Sequence, residues 1–206
     1  MNVLARTAGS RGAETAKIIR QKSLSLFARH GFAAVSMRMI ADAVGVQPGA
    51  LYQYHPTKQN ILADLMQSHM ETLLQAWENE TQQGEPPQAA LERFARFHIR
   101  FHITRPDEVF ISYMELRSLE NEGFKIIEAQ RKRYEGELKA ILEAGIAQKT
   151  FAIDDAHVGA MAILAMLTGV NTWYRSGGRL SQSKIEDIYA KMVLRSVGCA
   201  MEEDNV

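Results

Sequence analysis

The sequence predicts an all-α protein, a small N-terminal three-helix domain followed by a larger C-terminal helical bundle. Three observations carry this. Apolar residues recur at i, i+3, i+4 and i+7 spacing in almost every segment. Little in the chain alternates apolar with polar over six or more residues, so no sheet is assigned. The 14 Gly and five Pro fall mostly at the breaks between periodic stretches.

Residues 1–12 are small, basic and Gly-containing, and read as a mobile basic arm. A first helix is expected from Ala13 to His30, with Ile19, Ser23, Leu26 and Phe27 on one face and Gly31 as its stop. The second starts after the cap candidate Ser36, turns Met37, Ile40, Ala41 and Val44 inward, and ends at Gly45. The third is short, from Gln47 to about Tyr54, with Pro48 in its first turn. Thr57 is placed to cap a fourth helix running to about Gln83. The Gly84-Glu85-Pro86-Pro87 stretch then breaks the chain. Later helices are expected over 88–104, 107–119, 122–148, 154–175 and 182–199. The domains expected are the arm at 1–12, a three-helix domain at 13–59 and a second domain at 60–206.

The chain of 206 residues carries no formal net charge, but the charge is unevenly placed. Residues 1–60 hold eight cations (Arg6, Arg11, Lys17, Arg20, Lys22, Arg29, Arg38, Lys58) against two acids (Glu14, Asp42), a net of +6. The remainder therefore carries −6. A basic end on an acidic chain suits docking on phosphates, although a solvated face explains it equally well. A single cysteine, Cys199, excludes an intrachain disulfide and fits a reducing cytosol, so a cytoplasmic protein is expected. The N-terminus has no apolar signal-peptide core. The longest uncharged run, Val158–Tyr174, is at the short limit for a membrane span. Its Gly159, Thr168, Gly169, Asn171 and Thr172 favour a buried helix at a helix–helix interface instead.

The segment from Ser36 to His55 has the parts of a helix-turn-helix. Ala41 is small where a second helix must come close. Gly45 stands four residues on, where the turn needs a left-handed backbone. Val46 and Leu51 suit the angle between the two helices. The third helix is weakly built: Gln47, Pro48, Gly49, Tyr52 and Gln53 lie off its apolar face. Gly49 costs about 1 kcal/mol against alanine, and Gln47 fills the slot of a capping residue. Such a helix is easier to justify when its outer face meets DNA.

The run Ile40-Ala-Asp-Ala-Val-Gly-Val-Gln-Pro-Gly-Ala-Leu-Tyr-Gln-Tyr-His-Pro-Thr-Lys58, preceded by Leu26-Phe-Ala-Arg-His-Gly-Phe32, resembles the N-terminal domain of the TetR/AcrR family of transcriptional regulators. The resemblance covers residues 14–66. It implies an all-helical homodimer that binds a palindromic operator in double-stranded DNA and is released from it by a small-molecule effector. On that resemblance Ser36 and Arg38 meet the DNA backbone or a base edge, Arg38 having a rival reading as a solvated charge. Gln47, Pro48, Ala50 and Gln53 face the groove, and Tyr52, Tyr54 or His55, and Lys58 sit at phosphates. The family usually has Phe where this chain has His55, which either packs neutrally under the fourth helix or donates to a phosphate.

In the second domain the small and Met-rich 154–175 helix and the apolar stripe Ile185, Ile188, Tyr189, Met192, Val193, Val197 offer a homodimer surface through the last two helices, or an intrachain core. The family resemblance favours the dimer. The stretch Trp173-Tyr-Arg-Ser-Gly-Gly-Arg-Leu-Ser181 resembles regulators of fatty-acid, steroid and aromatic-acid breakdown, which sense acyl-CoA thioesters. Arg175 and Arg179 then pair with phosphates and Trp173 stacks on a flat group, unless the stretch is only a capped interhelix turn. Phe97, Phe101, Phe110, Tyr113, Met114, Met161 and Met166 complete the effector-pocket candidates. His98 and His102 have a metal-compatible i, i+4 spacing, with Glu92 and Asp107 near in sequence, but two satisfied or exposed histidines are the expectation. No phosphate loop, nucleophile elbow or metal-ligand motif is present, so neither an enzyme nor a cofactor is expected.

Overall fold

The computed structural model describes residues 4–199, with side chains from residue 12 on. Among these residues there are ten α-helices and no strand: α1 (Leu4–His30), α2 (Met37–Val44), α3 (Pro48–Tyr54), α4 (Lys58–Glu80), α5 (Pro87–Ile103), α6 (Pro106–Met114), α7 (Asn121–Ala147), α8 (Ala156–Thr168), α9 (Val170–Trp173) and α10 (Gln182–Ser196). A 3-10 turn, Leu116–Ser118, follows α6.

At four helix boundaries the difference from expectation has a local cause. α1 begins at Leu4, so the backbone of most of the expected arm is helical; residues 1–3 lie outside the described residues. No proline interrupts this stretch, and Gly9 and Gly12 each cost only about 1 kcal/mol. The expected 107–119 helix ends at Met114 and tightens into the 3-10 turn, where the Ser118 hydroxyl donates to Glu115 Oε2 at 2.7 Å. The expected 154–175 helix breaks at Gly169. There the Thr172 hydroxyl donates to the Gly169 carbonyl at 2.8 Å and the Asn171 amide to Thr168 O at 3.2 Å, in competition with the helical ladder. α10 stops at Ser196, because Gly198 takes φ +68° and the N–H of Cys199 turns back to Leu194 O at 3.1 Å.

Contacts divide the chain into two compact units. One takes the chain up to Met70 together with Asp107–Glu128; the other takes Glu71–Pro106 with Ala129 onward. α4 and α7 each contribute residues to both units. The first unit buries Ile19, Phe27, Ile40, Leu51, Ile61 and Ile111. The second is built around Trp77, Leu91, Phe94, Tyr134, Leu167 and Val193, with α10 lying along α5. Trp77 meets Phe94 edge-on at 5.0 Å, and Phe94 stacks on Tyr134 at 5.2 Å.

Candidate nucleic-acid interface and effector region

The turn between α2 and α3 follows from three residues. Ser36 caps α2: its hydroxyl oxygen accepts from the Met39 N–H at 3.2 Å. Gly45 takes φ +81°, which lets its N–H reach Asp42 O and lets the Val46 N–H reach Ala41 O at 3.0 Å. Leu51, fully buried, then anchors α3 under α2.

Leu51 is the only buried residue that α3 contributes. Gln47, Pro48, Gly49, Tyr52, Gln53 and Tyr54 are exposed, and Ala50 is half-buried. Gln47 makes no side-chain cap, but its carbonyl accepts from the Ala50 N–H at 2.9 Å; Pro48 has no N–H, which leaves Gly49 as the outward backbone donor of the first turn. A Cβ built on Gly49 would meet nothing within 4 Å. Packing inside the chain therefore does not call for glycine at that position. Arg38 is exposed, as are Lys17, Lys22 and Arg29 on α1.

Two of the expected DNA ligands are placed otherwise. Lys58 does not stand free on the outer face. Its Nζ donates to the carbonyls of Phe32 and Val35, both at 2.6 Å, and approaches Ala33 O at 3.5 Å and the Phe32 ring centroid at 4.2 Å. A cation at the first turn of α4 has thus been drawn to three carbonyls left open by the loop between α1 and α2. His55 takes the first of its two expected places. Its side chain is 15% exposed, with Nε2 4.0 Å from Asp64 Oδ2. Burial lowers its pKa; Asp64 opposes this and Arg20 reinforces it. Asp64 is itself gripped bidentately by Arg20, Nε at 2.6 Å and Nη2 at 2.8 Å, so one of the eight N-terminal cations is spent joining α1 to α4.

Ser36 is in the first place a cap; what it offers outward is its O–H donor. Thr57 caps α4 as expected, and Asn60 completes the cap: the Asn60 N–H donates to the Thr57 hydroxyl oxygen while Asn60 Oδ1 accepts from the Thr57 N–H, both at 3.1 Å.

The ten effector-pocket candidates are divided between the two units. Phe97 and Phe101 are buried in the second unit, ring to ring at 5.7 Å. Phe110, Tyr113 and Met114 belong to the first unit and are exposed, Met114 by 66%. Met161 and Met166 are half-buried. Trp173 is 49% exposed and lies against Tyr189, centroids 6.3 Å apart. Arg175 and Arg179 are exposed, but Arg175 already donates to Tyr174 O at 2.7 Å, which closes the helix end beside it. Three hollows in the second unit, of about 430, 290 and 260 Å³, are lined by none of these ten residues. The first lies between α4 and α7 at Glu71, Leu74, Gln130 and Arg133.

His98 and His102 are both buried and satisfied. His98 Nδ1 lies 3.2 Å from the Tyr134 hydroxyl and Nε2 3.1 Å from Thr168 Oγ1. His102 Nδ1 bonds His98 O at 2.8 Å. Burial pushes the pKa of His102 down to about 4, the carbonyl bond opposing the fall. Among the described residues no group of three or more His, Cys, Asp or Glu is placed to hold a metal.

Residues 19–65 match the model of bacterial regulatory proteins of the tetR family, and residues 84–197 match a tetracyclin repressor-like C-terminal domain. This chain belongs to the TetR family. As a TetR-family member it is a DNA-binding transcriptional regulator, and α2 and α3 are its helix-turn-helix. It is 24% identical over 172 residues to the HTH-type transcriptional repressor KstR2 of Rhodococcus jostii (strain RHA1), covering 82% of this chain and 84% of that one. A solved TetR-family regulatory protein from Rhodococcus RHA1 superposes with a TM-score of 0.86 at 27% identity, over 91% of this chain and 98% of that one. AibR, solved in complex with isovaleryl coenzyme A and operator DNA, shares the fold with a TM-score of 0.81 at 24% identity, over 90% of this chain and all of that one.

Proposed function

We propose that this protein is a homodimeric repressor that holds a palindromic operator and lets it go when a small-molecule effector, an acyl-CoA thioester, binds the second unit. The observation that carries the DNA reading is α3 itself. It is a helix with one buried residue, an uncapped N-terminus and a glycine that no intrachain contact requires. Gln47 and Gln53 suit the N6/N7 edge of adenine, and Arg38 and Tyr52 suit phosphates.

The α8–α9 stretch supports the dimer. Ala156–Trp173 is long and apolar enough to cross a membrane by composition, yet only 22% of it is buried. Val158, Ala162 and Ala165 form an exposed stripe along α8, and Met192 is exposed on α10. Four such helices, two from each copy, cover this surface. Two recognition helices are then set for half-sites about 34–36 Å apart, and an effector preferring another separation shifts the population off DNA.

The acyl-CoA reading is supported by the likeness to AibR, solved with isovaleryl coenzyme A, and by the exposed Trp173, Arg175 and Arg179, an aromatic ring and two cations of the kind that hold an adenine and its phosphates. The absence of catalytic motifs in the sequence supports a regulator that turns nothing over. A DNA-binding protein of this kind works in the cytoplasm beside the chromosome.

The test is selection of a duplex from a random library, followed by fluorescence anisotropy with added isovaleryl, longer-chain and ring-bearing CoA thioesters. Expected are a palindromic consensus, salt-sensitive binding and release by one thioester class without its hydrolysis. Failure to enrich a palindrome overturns the repressor reading. Enrichment without release by any thioester overturns only the effector class.

A further inference from the structure

The peptide unit of Phe32 is held from both sides. Its carbonyl accepts from Lys58 Nζ at 2.6 Å, and its N–H donates to Glu115 Oε1 at 2.9 Å. Glu115 follows α6, 83 residues away in sequence, and its other oxygen accepts from the Ser118 hydroxyl at 2.7 Å. Gln59, next to Lys58, reaches the same corner. Its amide donates to Ser118 O at 2.7 Å and its carbonyl oxygen accepts from the Glu120 N–H at 3.2 Å, so one carboxamide pairs with the backbone on both sides of Leu119. The contacts close a ring: Phe32 to Lys58, along the chain to Gln59, to Ser118, to Glu115 and back to Phe32. All of it lies within the first unit.

Two further observations show that the ring is a fitted joint. A Cβ built on Gly31, at φ +78°, would stand 3.5 Å from Glu115 Oε1, so the carboxylate is seated against the glycine turn that ends α1. A Cβ on Gly123 would come 3.4 Å from the Ala63 Cβ, so small residues let the start of α7 lie close on α4 just beyond the corner. The loop that the ring grips, between Phe32 and Val35, leads directly into the Ser36 cap of α2. From Ala129 on, α7 belongs to the second unit.

We propose that Glu115 and Gln59 are positioning residues for DNA recognition: the corner between α6 and α7 sets the attitude of the helix-turn-helix by holding the Phe32 peptide and the first turn of α4. Neither side chain touches the duplex. The proposal rests on the DNA-binding reading given above. Cutting the ring at Glu115 frees the loop before α2 and lets α2 and α3 rock as a pair. Contacts that need the two recognition helices in register then weaken, while the general attraction of the cations for phosphate persists.

The test uses the full-length protein and a palindromic duplex selected by the wild type, with a scrambled duplex of equal length as control. Glu115→Ala is expected to weaken binding of the selected duplex about tenfold or more, and that of the scrambled duplex less than about twofold. Glu115→Gln keeps an acceptor for the Phe32 N–H and is expected to return within about threefold of wild type. Gln59→Leu is expected to reproduce the Glu115→Ala defect, and the double variant to add little to either, since both open one ring. Hydrogen exchange should show faster exchange at residues 31–36 in both alanine and leucine variants, with the thermal midpoint of the rest of the chain unmoved. Should Glu115→Ala fail to fold, Gln59→Leu carries the test. Unchanged selective binding in both variants overturns the proposal, as does parallel loss on both duplexes, or a Glu115→Gln variant no better than Glu115→Ala. If the wild type selects no duplex at all, it is the DNA-binding reading that falls first, and the proposal with it.

Discussion

Lys58 Nζ lies 2.6 Å from the Phe32 carbonyl oxygen and 4.2 Å from the centroid of the Phe32 ring. One ammonium thus serves as hydrogen-bond donor to the backbone and as a cation over the ring of the same residue, with a third contact at Val35 O. An isolated basic residue after a Pro-Thr turn reads in sequence as a phosphate ligand. Here the same charge closes the three-helix head.

Lys58→Met follows from that placement. Loss of two bonds to a charged donor, with two carbonyls left short of partners, is expected to destabilise the first unit by about 1.5–3 kcal/mol. Urea unfolding measures this. The dependence of DNA affinity on salt should keep its slope, since each phosphate contact contributes about 0.9 to it. A reduced slope with unchanged stability would place Lys58 at a phosphate instead.

Gly49→Ala separates folding from recognition. The added Cβ meets nothing in the chain, and alanine favours the helix by about 0.5–1 kcal/mol, so the variant should melt higher. Its operator affinity should nevertheless fall, because the methyl group stands between α3 and the groove. A variant that is more stable and binds equally well would show that this face does not approach DNA closely.

On the same face, Arg38→Ala should lower the salt slope by about one unit and weaken all sequences alike. Gln47→Ala should relax base preference at one position in each half-site. Repeating the duplex selection with each variant distinguishes the two outcomes.

His102 makes the second unit sensitive to acid. Its folded pKa is about 4 against 6.5 for an ordinary histidine. Between these values the unfolded chain binds a proton that the folded chain refuses, so stability rises with pH across the window and is complete above about 6.5. The loss on going from pH 7 to 4 should be about 3 kcal/mol from this group. The lowered pKa of His55 acts in the same sense in the first unit. Denaturant titrations at several pH values should show the fall, and His102→Phe should flatten the part of it due to the second unit.

Val158→Glu tests the dimer surface. Val158 is 64% exposed in the single chain, so a carboxylate there costs the monomer little, whereas burial at a two-fold interface places two like charges near each other. Sedimentation should show a monomer with unchanged helicity, and binding to the palindrome should fall because one half-site is lost per complex. A variant that sediments as a dimer would move the interface elsewhere.

Much of the head was legible in sequence because its determinants are local. Ser36, Gly45, Pro48 and Thr57 act on groups within a few residues of themselves, so cap, turn and start signals locate α2, α3 and the beginning of α4 to within a residue. The effector region was not legible in the same way. Apart from Arg175 and Arg179, its candidates are aromatic and Met residues, and such residues build cores as readily as pockets; Phe97 and Phe101 are buried in the second unit, while Phe110, Tyr113 and Met114 belong to the first. Likewise nothing near Glu115 or Gln59 signals their partners, because those lie 83 and 59 residues away.

The sequence alone determined an all-helical chain, the place of the helix-turn-helix and the exposed outer face of α3, since periodicity, caps and glycine turns are read over three to five residues; the TetR family was legible as a resemblance over residues 14–66. Only the tertiary structure decided how the charges are spent. Arg20 went to Asp64 and Lys58 to the carbonyls before α2, because an ion in a folded chain settles on the nearest uncompensated partner, and which partner is nearest is set by packing between helices distant in sequence.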